Sequence, residues 1–389
     1  MLTSMDKKLR IALVTNNWQP YSGGVVSSLR MQIAALQTMG HEVMLITLYF
    51  LGNEHKDPAF VKRIRCPLRF MYKKNHMAVP WRAYKQVFEL LNDFKPHIIH
   101  THHPFLLGVS ALKAARILKV PIVFTHHSVY TAFAYYIPLP TCITKPIIAR
   151  LVKNFYSKVD GIIVPSSMIA THLKTQGIRT PITIISSAVQ PVFFLSLSET
   201  VADEPYGEVF DLLFISRFAK EKNISFLLDV FAQLPKHHFR FTLAGYGHAY
   251  DGLKKYAYTE LKLDPEYVHF VYKPSLQDLK KLYTKADLFV FGALYETQAI
   301  VLAEAMASGI PVVALDGPGQ RDIIKNGVNG FIVYSQSNMC EVIQKIAADR
   351  DLHRTLSENA LKTAQDYTFE HMGQKLINFY TEILAKSLY

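Results

Sequence analysis

Short apolar runs alternate with longer stretches of helical period over nearly the whole chain, and that alternation leaves few folds open. Parallel strands need a crossover long enough to hold a helix, so a chain of this pattern forms parallel sheets covered by helices. The runs at residues 10–15, 42–48, 98–101, 122–125, 161–164 and 182–185 are expected as strands of one sheet. Those at residues 212–216, 239–244, 268–271, 288–291, 312–315 and 331–333 are expected to form a second. At 389 residues the chain exceeds one ordinary core. The fold class is therefore read as α/β, with two doubly wound domains at residues 1–195 and 205–368, joined through the acidic stretch 199–207. The last helical segment, residues 369–389, has no strand after it and is expected to pack back toward the first domain.

Charge is unevenly divided. Residues 1–190 hold 23 Lys and Arg against 7 Asp and Glu, whereas residues 191–389 hold 20 against 24. No acid occurs between Lys95 and Lys158, and eight basic residues with no acid fall between Lys62 and Phe88. Such a face suits an anionic membrane, a nucleic acid or an acidic ligand, and no nucleic-acid module accompanies it. Within that region Arg63, Arg65, Arg69, Lys73, Lys74 and Arg82 are interleaved with Phe70, Met71, Tyr72, Trp81 and Tyr84, as in a segment lying on an anionic bilayer. A solvated basic loop and helix is the plainer alternative. The aromatic, Pro-interrupted region 130–148 is a candidate lipid entry. No run of about 18 apolar residues is present, so no membrane-spanning helix is expected. The first apolar run is too short for a signal peptide, and the scattered Cys66, Cys142 and Cys340 fit a reduced, cytoplasmic protein.

Residues 291–315 read strand, helix, strand, and the helix is apolar or small all round, as a buried helix is. Glu304 is the only charged residue between Thr297 and Leu315. A buried carboxylate needs a partner. That partner is either an internal Lys, Arg or amide, or paired ligand hydroxyls such as those of a ribose. Glu296 stands just before the helix, whose free N-terminal amides suit a phosphate.

Ligands of open parallel sheets bind beyond the carboxyl ends of the strands, and unusual residues collect there. Gly23 and Gly24 open a helix after the first strand, where amides can meet phosphate or sugar. His100, His102 and His103 follow the third strand, and His126 and His127 the fourth. Their spacing matches no familiar metal-ligand set, and a histidine so placed can instead donate to a sugar hydroxyl. Arg217 and Lys222, in SRFAKEKN, are suited to the two phosphates of a nucleotide diphosphate, and Gly245 sits in a further close-approach turn.

Together these marks resemble the retaining glycosyltransferases of family four, of the GT-B architecture: two Rossmann-like domains facing across a cleft. The resemblance rests on the Gly23-Gly24 turn with GHEV (40–43), HTHHPFLLG (100–108), SRFAKEKN (216–223) and above all the Glu296 and Glu304 pair in YETQAIVLAEAMASGIPVVA. Within the family the chain is most similar to bacterial diacylglycerol glycosyltransferases and, more distantly, to phosphatidylinositol mannosyltransferases. The resemblance implies an acceptor-binding first domain and a nucleotide-sugar-binding second. It implies that His127 and Glu296 hold the donor sugar, that Arg217 and Lys222 meet the diphosphate, and that Glu304 takes the ribose. Gly23, Gly24, Gly245, Thr297, Gln298 and Ala299 complete the donor set. Tyr130 joins the basic residues on the acceptor or membrane side. The donor is expected to be UDP-glucose first and GDP-mannose second, with no metal or other cofactor required and no nucleic acid. The acceptor is expected to be a membrane lipid such as diacylglycerol, with the protein peripheral on the inner face of the cytoplasmic membrane. A soluble or polysaccharide acceptor, or epimerase or hydrolase chemistry, are the alternatives. Ala299 stands where the family usually has Gly, Ser186-Ser187-Ala188-Val189-Gln190 replaces its P-x-G-[IV]-D stretch, and Thr131 replaces a frequent Glu.

Overall fold

The computed structural model describes residues 8–19, 23–50, 57–72, 75–127, 130, 140–195, 209–294 and 296–387. The chain divides into two units, one running through Ser187 and resuming at Met372, the other spanning Ala188–His371. The division thus falls ahead of residues 188–195, which belong to the second unit.

The first unit is built from β1 (Arg10–Val14), α1 (Gly24–Thr38), β2 (Glu42–Leu48), β3 (Val61–Ile64), β4 (Leu68–Tyr72), β5 (Asn75–Val79), α2 (Ala83–Phe94), β6 (Ile98–Thr101), α3 (Leu107–Leu118), β7 (Ile122–Thr125), α4 (Thr141–Tyr156), β8 (Gly161–Val164), α5 (Ser167–Thr175) and β9 (Ile182–Ile184). Its sheet is parallel in the order β3-β2-β1-β6-β7-β8-β9, so the strand order reverses between β1 and β6. The side chains of β1, β6, β7 and β8 are buried apart from a half-buried Arg10, which is why these strands read as unbroken apolar runs. The edge strand β3 and the antiparallel β4–β5 hairpin were not expected. They lie in the basic, aromatic segment where no continuous apolar run marks a strand. Helices α2, α3 and α4 bury Val87 and Leu91, Ala111 and Ala115, and Val152 and Phe155 in one core.

The second unit contains β10 (Phe210–Arg217), α6 (Ile224–Gln233), β11 (Phe239–Tyr246), α7 (Tyr250–Lys255), β12 (Val268–Tyr272), α8 (Leu276–Lys285), β13 (Leu288–Phe291), α9 (Ile300–Ala307), β14 (Val312–Leu315), α10 (Pro318–Arg321), β15 (Gly330–Val333), α11 (Gln336–Ala348) and α12 (Arg350–Ala364). Its parallel sheet runs β12-β11-β10-β13-β14-β15 and reverses between β10 and β13. All the strands expected from the sequence are present in the two sheets. Helix α9 buries Leu302, Ala303, Ala305, Met306 and Ala307, as a helix apolar on every side must.

The last helix, α13 (Phe369–Lys386), closes on the first unit from Met372 onward. Two glycines let it in. A Cβ at Gly161 of β8 would stand 2.5 Å from Phe379, and one at Gly373 would stand 2.8 Å from Ala35 of α1. Gly161→Val is therefore expected to overpack this seam and cost about 1–3 kcal/mol, read from the urea midpoint; an unchanged midpoint would show that the close approach is dispensable.

Candidate active site

The reversal between β10 and β13 is where an open parallel sheet leaves room for a ligand. Their ladder consists of Leu212↔Leu288 and Leu213↔Phe289, while β10 continues to Arg217 paired to β11 alone. Two loops leave the sheet at this gap. Asn223, left-handed at φ 51°, caps α6 from one loop and donates through Nδ2 to the Gly292 carbonyl of the other at 3.1 Å. Beside this tie Lys222, 8% exposed, donates to Oε2 of the half-buried Glu296. The residues expected to meet diphosphate and sugar thus form one ion pair.

The backbone around Glu296 is held from below. A Cβ at Gly319 would lie 2.6 Å from the Glu296 carbonyl oxygen and 3.2 Å from the Gln298 nitrogen. Gln320, fully buried, donates to the carbonyls of Ala293 and Leu315. Ala299, 3% exposed, caps α9 in the left-handed region at φ 52° and ψ 40°. A glycine takes that conformation freely, whereas a Cβ there costs roughly 1–2 kcal/mol.

Glu304 has an internal partner of a kind its sequence context does not reveal. The Tyr283 hydroxyl, from α8, donates to its Oε2 at 3.1 Å. Burial pushes the Glu304 carboxyl up to about 7, opposed by that hydrogen bond. Arg217 is exposed and pairs with Glu221 at 3.3 Å. Gly245 proves to be a packing requirement: at φ 150° its Cβ would collide with the Ser216 carbonyl, and one at Gly247 would collide with that of Phe218. These glycines bring β11 against the base of the Arg217–Lys222 loop.

The first unit presents a second polar cluster at its own reversal between β1 and β6. Asn16 accepts from the Leu107 amide and donates to the Phe105 carbonyl, both at 3.2 Å. The Asn16 amide donates to His103 Nδ1 at 3.2 Å, which places the His103 proton on Nε2. His100 binds Tyr380 through Nδ1 and Thr125 through Nε2, both at 2.6 Å, and packs against His102 with ring centroids 4.2 Å apart and the planes tilted by 33°. His102 Nδ1 meets His127 Nε2 at 2.9 Å, while the buried His102 Nε2 has no partner. A buried N–H without an acceptor is rarer than a bare acceptor. The His102 proton is therefore on Nδ1, donated to His127, and His127 carries its own on Nδ1. Burial lowers the pKa of all five histidines, that of His100 to about 3 and those of His103 and His126 to about 4. Gly23 and Gly24 lead into α1 with open space where a Cβ would stand.

Residues 22–192 match the family model for Glycosyltransferase Family 4, and residues 202–363 that for Glycosyl transferases group 1. The alpha-monoglucosyldiacylglycerol synthase of Streptococcus pneumoniae is 27% identical over 97% of this chain and 87% of its own length. The GDP-mannose-dependent alpha-mannosyltransferase of Corynebacterium glutamicum is 25% identical over 98% and 91%. Among solved structures, sucrose-phosphate synthase from Thermosynechococcus elongatus superposes with a TM-score of 0.75 at 21% identity, covering 97% of this chain and all of that one. The chain is a glycosyltransferase of the GT-B fold. It uses a nucleotide-sugar donor and is related to bacterial diacylglycerol glycosyltransferases and GDP-mannose mannosyltransferases.

Of the glycosyltransferase's expected acceptor-side residues, Arg63 and Tyr130 are packed inside. The Arg63 side chain is 7% exposed, bonded to both oxygens of Asp57 at 2.6 and 3.0 Å and to the Leu48 carbonyl at 2.9 Å. Tyr130 packs edge-on against Phe105 and His126, with its hydroxyl buried and unpartnered. Arg69 lies over the Tyr49 ring at 4.9 Å, Arg65 and Arg82 are exposed, and Trp81 is 68% exposed. Lys73, Lys74 and Thr131 lie outside the described residues. Among the described residues no three His, Cys, Asp or Glu side chains converge as a metal would require. The triplet Asp349-Arg350-Asp351, of a spacing that can hold a metal, caps α12 instead: Asp349 accepts from the Leu352 amide at 2.9 Å and Asp351 pairs with Arg354. Sequence reasoning missed Tyr283 and Gln320, and it named His102 and Asn223 without the contacts they make to His127 and Gly292. Only the Gly317-Pro318-Gly319 turn could have pointed to Gln320.

The raised Glu304 pKa sets a sign for stability. Between about pH 4.5 and 7 the folded carboxyl holds a proton that the unfolded one has released, so stability falls as pH rises through that window. Glu304→Gln, which still accepts from Tyr283, is expected to be more stable than wild type by about 1–3 kcal/mol at pH 8 and equal to it near pH 4. Urea unfolding at the two pH values checks this; a variant less stable at pH 8 would mean that the carboxylate is not penalised. The histidines act oppositely. Their folded pKa values lie below 6.5, so they cost nothing above it, and stability is lost as pH falls from about 6.5 toward 4. Replacing His126 with Gln is expected to flatten that acid limb.

Proposed function

We propose that this glycosyltransferase moves a hexose, glucose before mannose, from a nucleotide diphosphate to a hydroxyl of a membrane lipid such as diacylglycerol, with retention at the anomeric carbon. The observation that carries the lipid acceptor is the β4–β5 hairpin of the basic first unit. Leu68, Phe70, Met71, Met77 and Val79 are between 39% and 56% exposed there, and Trp81 follows at 68% beside Arg82. Apolar side chains facing outward among cations suit an anionic bilayer, and the named synthase of Streptococcus pneumoniae supports the same acceptor and glucose. Attachment is read as peripheral, on the inner face of the cytoplasmic membrane, from the same outward-facing apolar and cationic side chains. Among the described residues no helix is long and apolar enough to cross a membrane.

In the proposed reaction Arg217 and Lys222 take the charge of the departing diphosphate, helped by the amides near Gln298 and Gly24. Lys222 exchanges its bond with Glu296 for the phosphate, which frees that carboxylate for the sugar hydroxyls. Glu304 accepts from the ribose with the oxygen that Tyr283 leaves open. His127 donates from Nδ1 to the sugar. The acceptor hydroxyl attacks the face that the diphosphate leaves, and its proton passes to the leaving phosphate oxygen. No protein nucleophile and no metal enter these steps.

Lys222→Ala is expected to lower kcat/KM by about 10²–10³. The decisive experiment incubates the protein with labelled UDP-glucose or GDP-mannose and anionic vesicles containing diacylglycerol, then counts label in the organic phase. Label entering that phase, and lost with Glu304→Ala, supports the reading. Donor consumed with all label left in water would assign a soluble acceptor, or epimerase or hydrolase chemistry.

A further inference from the structure

Helix α4 exposes an apolar stripe on the first unit. Ile143, Ile147 and Leu151 recur at every fourth residue and are 51%, 51% and 52% exposed, while Thr144, Ile148, Val152 and Phe155 on the adjoining face are buried. Arg150 borders the stripe, and Lys145 and Lys153 are exposed elsewhere on the same helix. At the carboxyl end of the same helix lies a cavity of about 500 Å³ lined by Arg150, Lys153, Asn154, Ser157, Arg179 and Thr180, with no acidic residue. Lys153 is held over it by its bond to the Gln176 carbonyl at 2.9 Å, and the Thr180 hydroxyl donates to the Tyr156 carbonyl at 2.7 Å. Among the described residues neither Arg150 nor Arg179 has a carboxylate partner. Because α4 runs antiparallel to the strands and leads into β8, this cavity opens at the amino edge of the sheet, away from His127 at the carboxyl edge.

We propose that α4 and this cavity form a binding site for an anionic membrane phospholipid, with the phosphate between Arg150 and Arg179 and the acyl chains along Leu151, Ile147 and Ile143. Each half alone is ordinary: a basic cavity takes any phosphate, and an apolar stripe takes any hydrophobic partner. Their order along one helix selects a ligand with a charged end and an apolar tail. Guanidinium groups match phosphate in a bidentate fork, and an amphipathic helix with cations beside its apolar face lies in the plane of an anionic surface. The absence of acid from Lys95 to Lys158 leaves nothing on this helix to repel that surface. Helices α2, α3 and α4 share one core, to which the β4–β5 hairpin contributes Ala78. The inference rests on the membrane reading given above, though not on a lipid being the acceptor.

The test is flotation of the full chain with phosphatidylglycerol vesicles and with neutral phosphatidylcholine vesicles, alongside turnover on a dispersed short-chain diacylglycerol. Arg150→Glu with Arg179→Glu is expected to weaken binding to phosphatidylglycerol vesicles at least tenfold at low salt, with turnover on the dispersed acceptor and thermal unfolding unchanged. Ile147→Ser with Leu151→Ser is expected to weaken it similarly. Glycerol 1-phosphate at millimolar concentration is expected not to displace the vesicles, since it lacks the tail. Displacement by it would identify a soluble-phosphate site and overturn the proposal. Unchanged vesicle binding by both double variants, with binding lost in Phe70→Ser with Trp81→Ser, would overturn it while leaving the proposed function standing. Wild type failing to float with any vesicle would overturn both.

Discussion

The ladder between β10 and β13 stops at Leu213 and Phe289, and the chemistry of the second domain depends on that early stop. Had the two strands stayed paired to their ends, the loops leaving them would have been drawn together without a gap. Instead Asn223 reaches across to the Gly292 carbonyl and Lys222 meets Glu296 in the space between. The pair is costly to desolvate and neutral as it stands. That makes it a natural partner for a ligand bringing both negative charge for the lysine and hydroxyls for the carboxylate. Glycines serve the same arrangement as spacers. Gly245 and Gly319 let backbone pass against backbone, so the polar residues stand on supports that side-chain motion cannot shift.

In the first domain the supports are rings. His100 is fixed by Tyr380 and Thr125, His102 packs against it, and His127 takes its tautomer from His102. Burial keeps all five histidines neutral, so the cluster presents ring nitrogens for hydrogen bonding without adding charge. Tyr380 comes from α13, more than two hundred residues later in the chain. The terminal helix therefore reaches the site by a hydrogen bond as well as by packing.

The fold was legible because buried parallel strands need apolar side chains on both faces, and such runs stand out from amphipathic helices. The same rule failed at β3 and the β4–β5 hairpin, where one or both faces are exposed and the residues are basic and aromatic. Arg63 shows the limit for function: its sequence neighbourhood marks it as a surface cation, yet Asp57 and the Leu48 carbonyl hold it inside. Arg65, Arg82 and Trp81, from the same segment, do face outward. Nothing local distinguishes these outcomes, since each depends on where the edge strand turns.

The sequence by itself determined the two parallel sheets, the strand ends where polar residues gather, and the spacing of Glu296 and Glu304 on either side of the start of a buried helix. These follow from periodicity and from the cost of burying charge, which are properties of neighbouring residues. Tertiary structure alone decided that Lys222 pairs with Glu296, that Tyr283 donates to Glu304, that His102 sets the tautomer of His127, and that Arg150 and Arg179 share a cavity. Each of those joins residues that are between 21 and 74 positions apart. Their meeting is fixed by strand order and by where a ladder ends, and no local pattern in the chain encodes either.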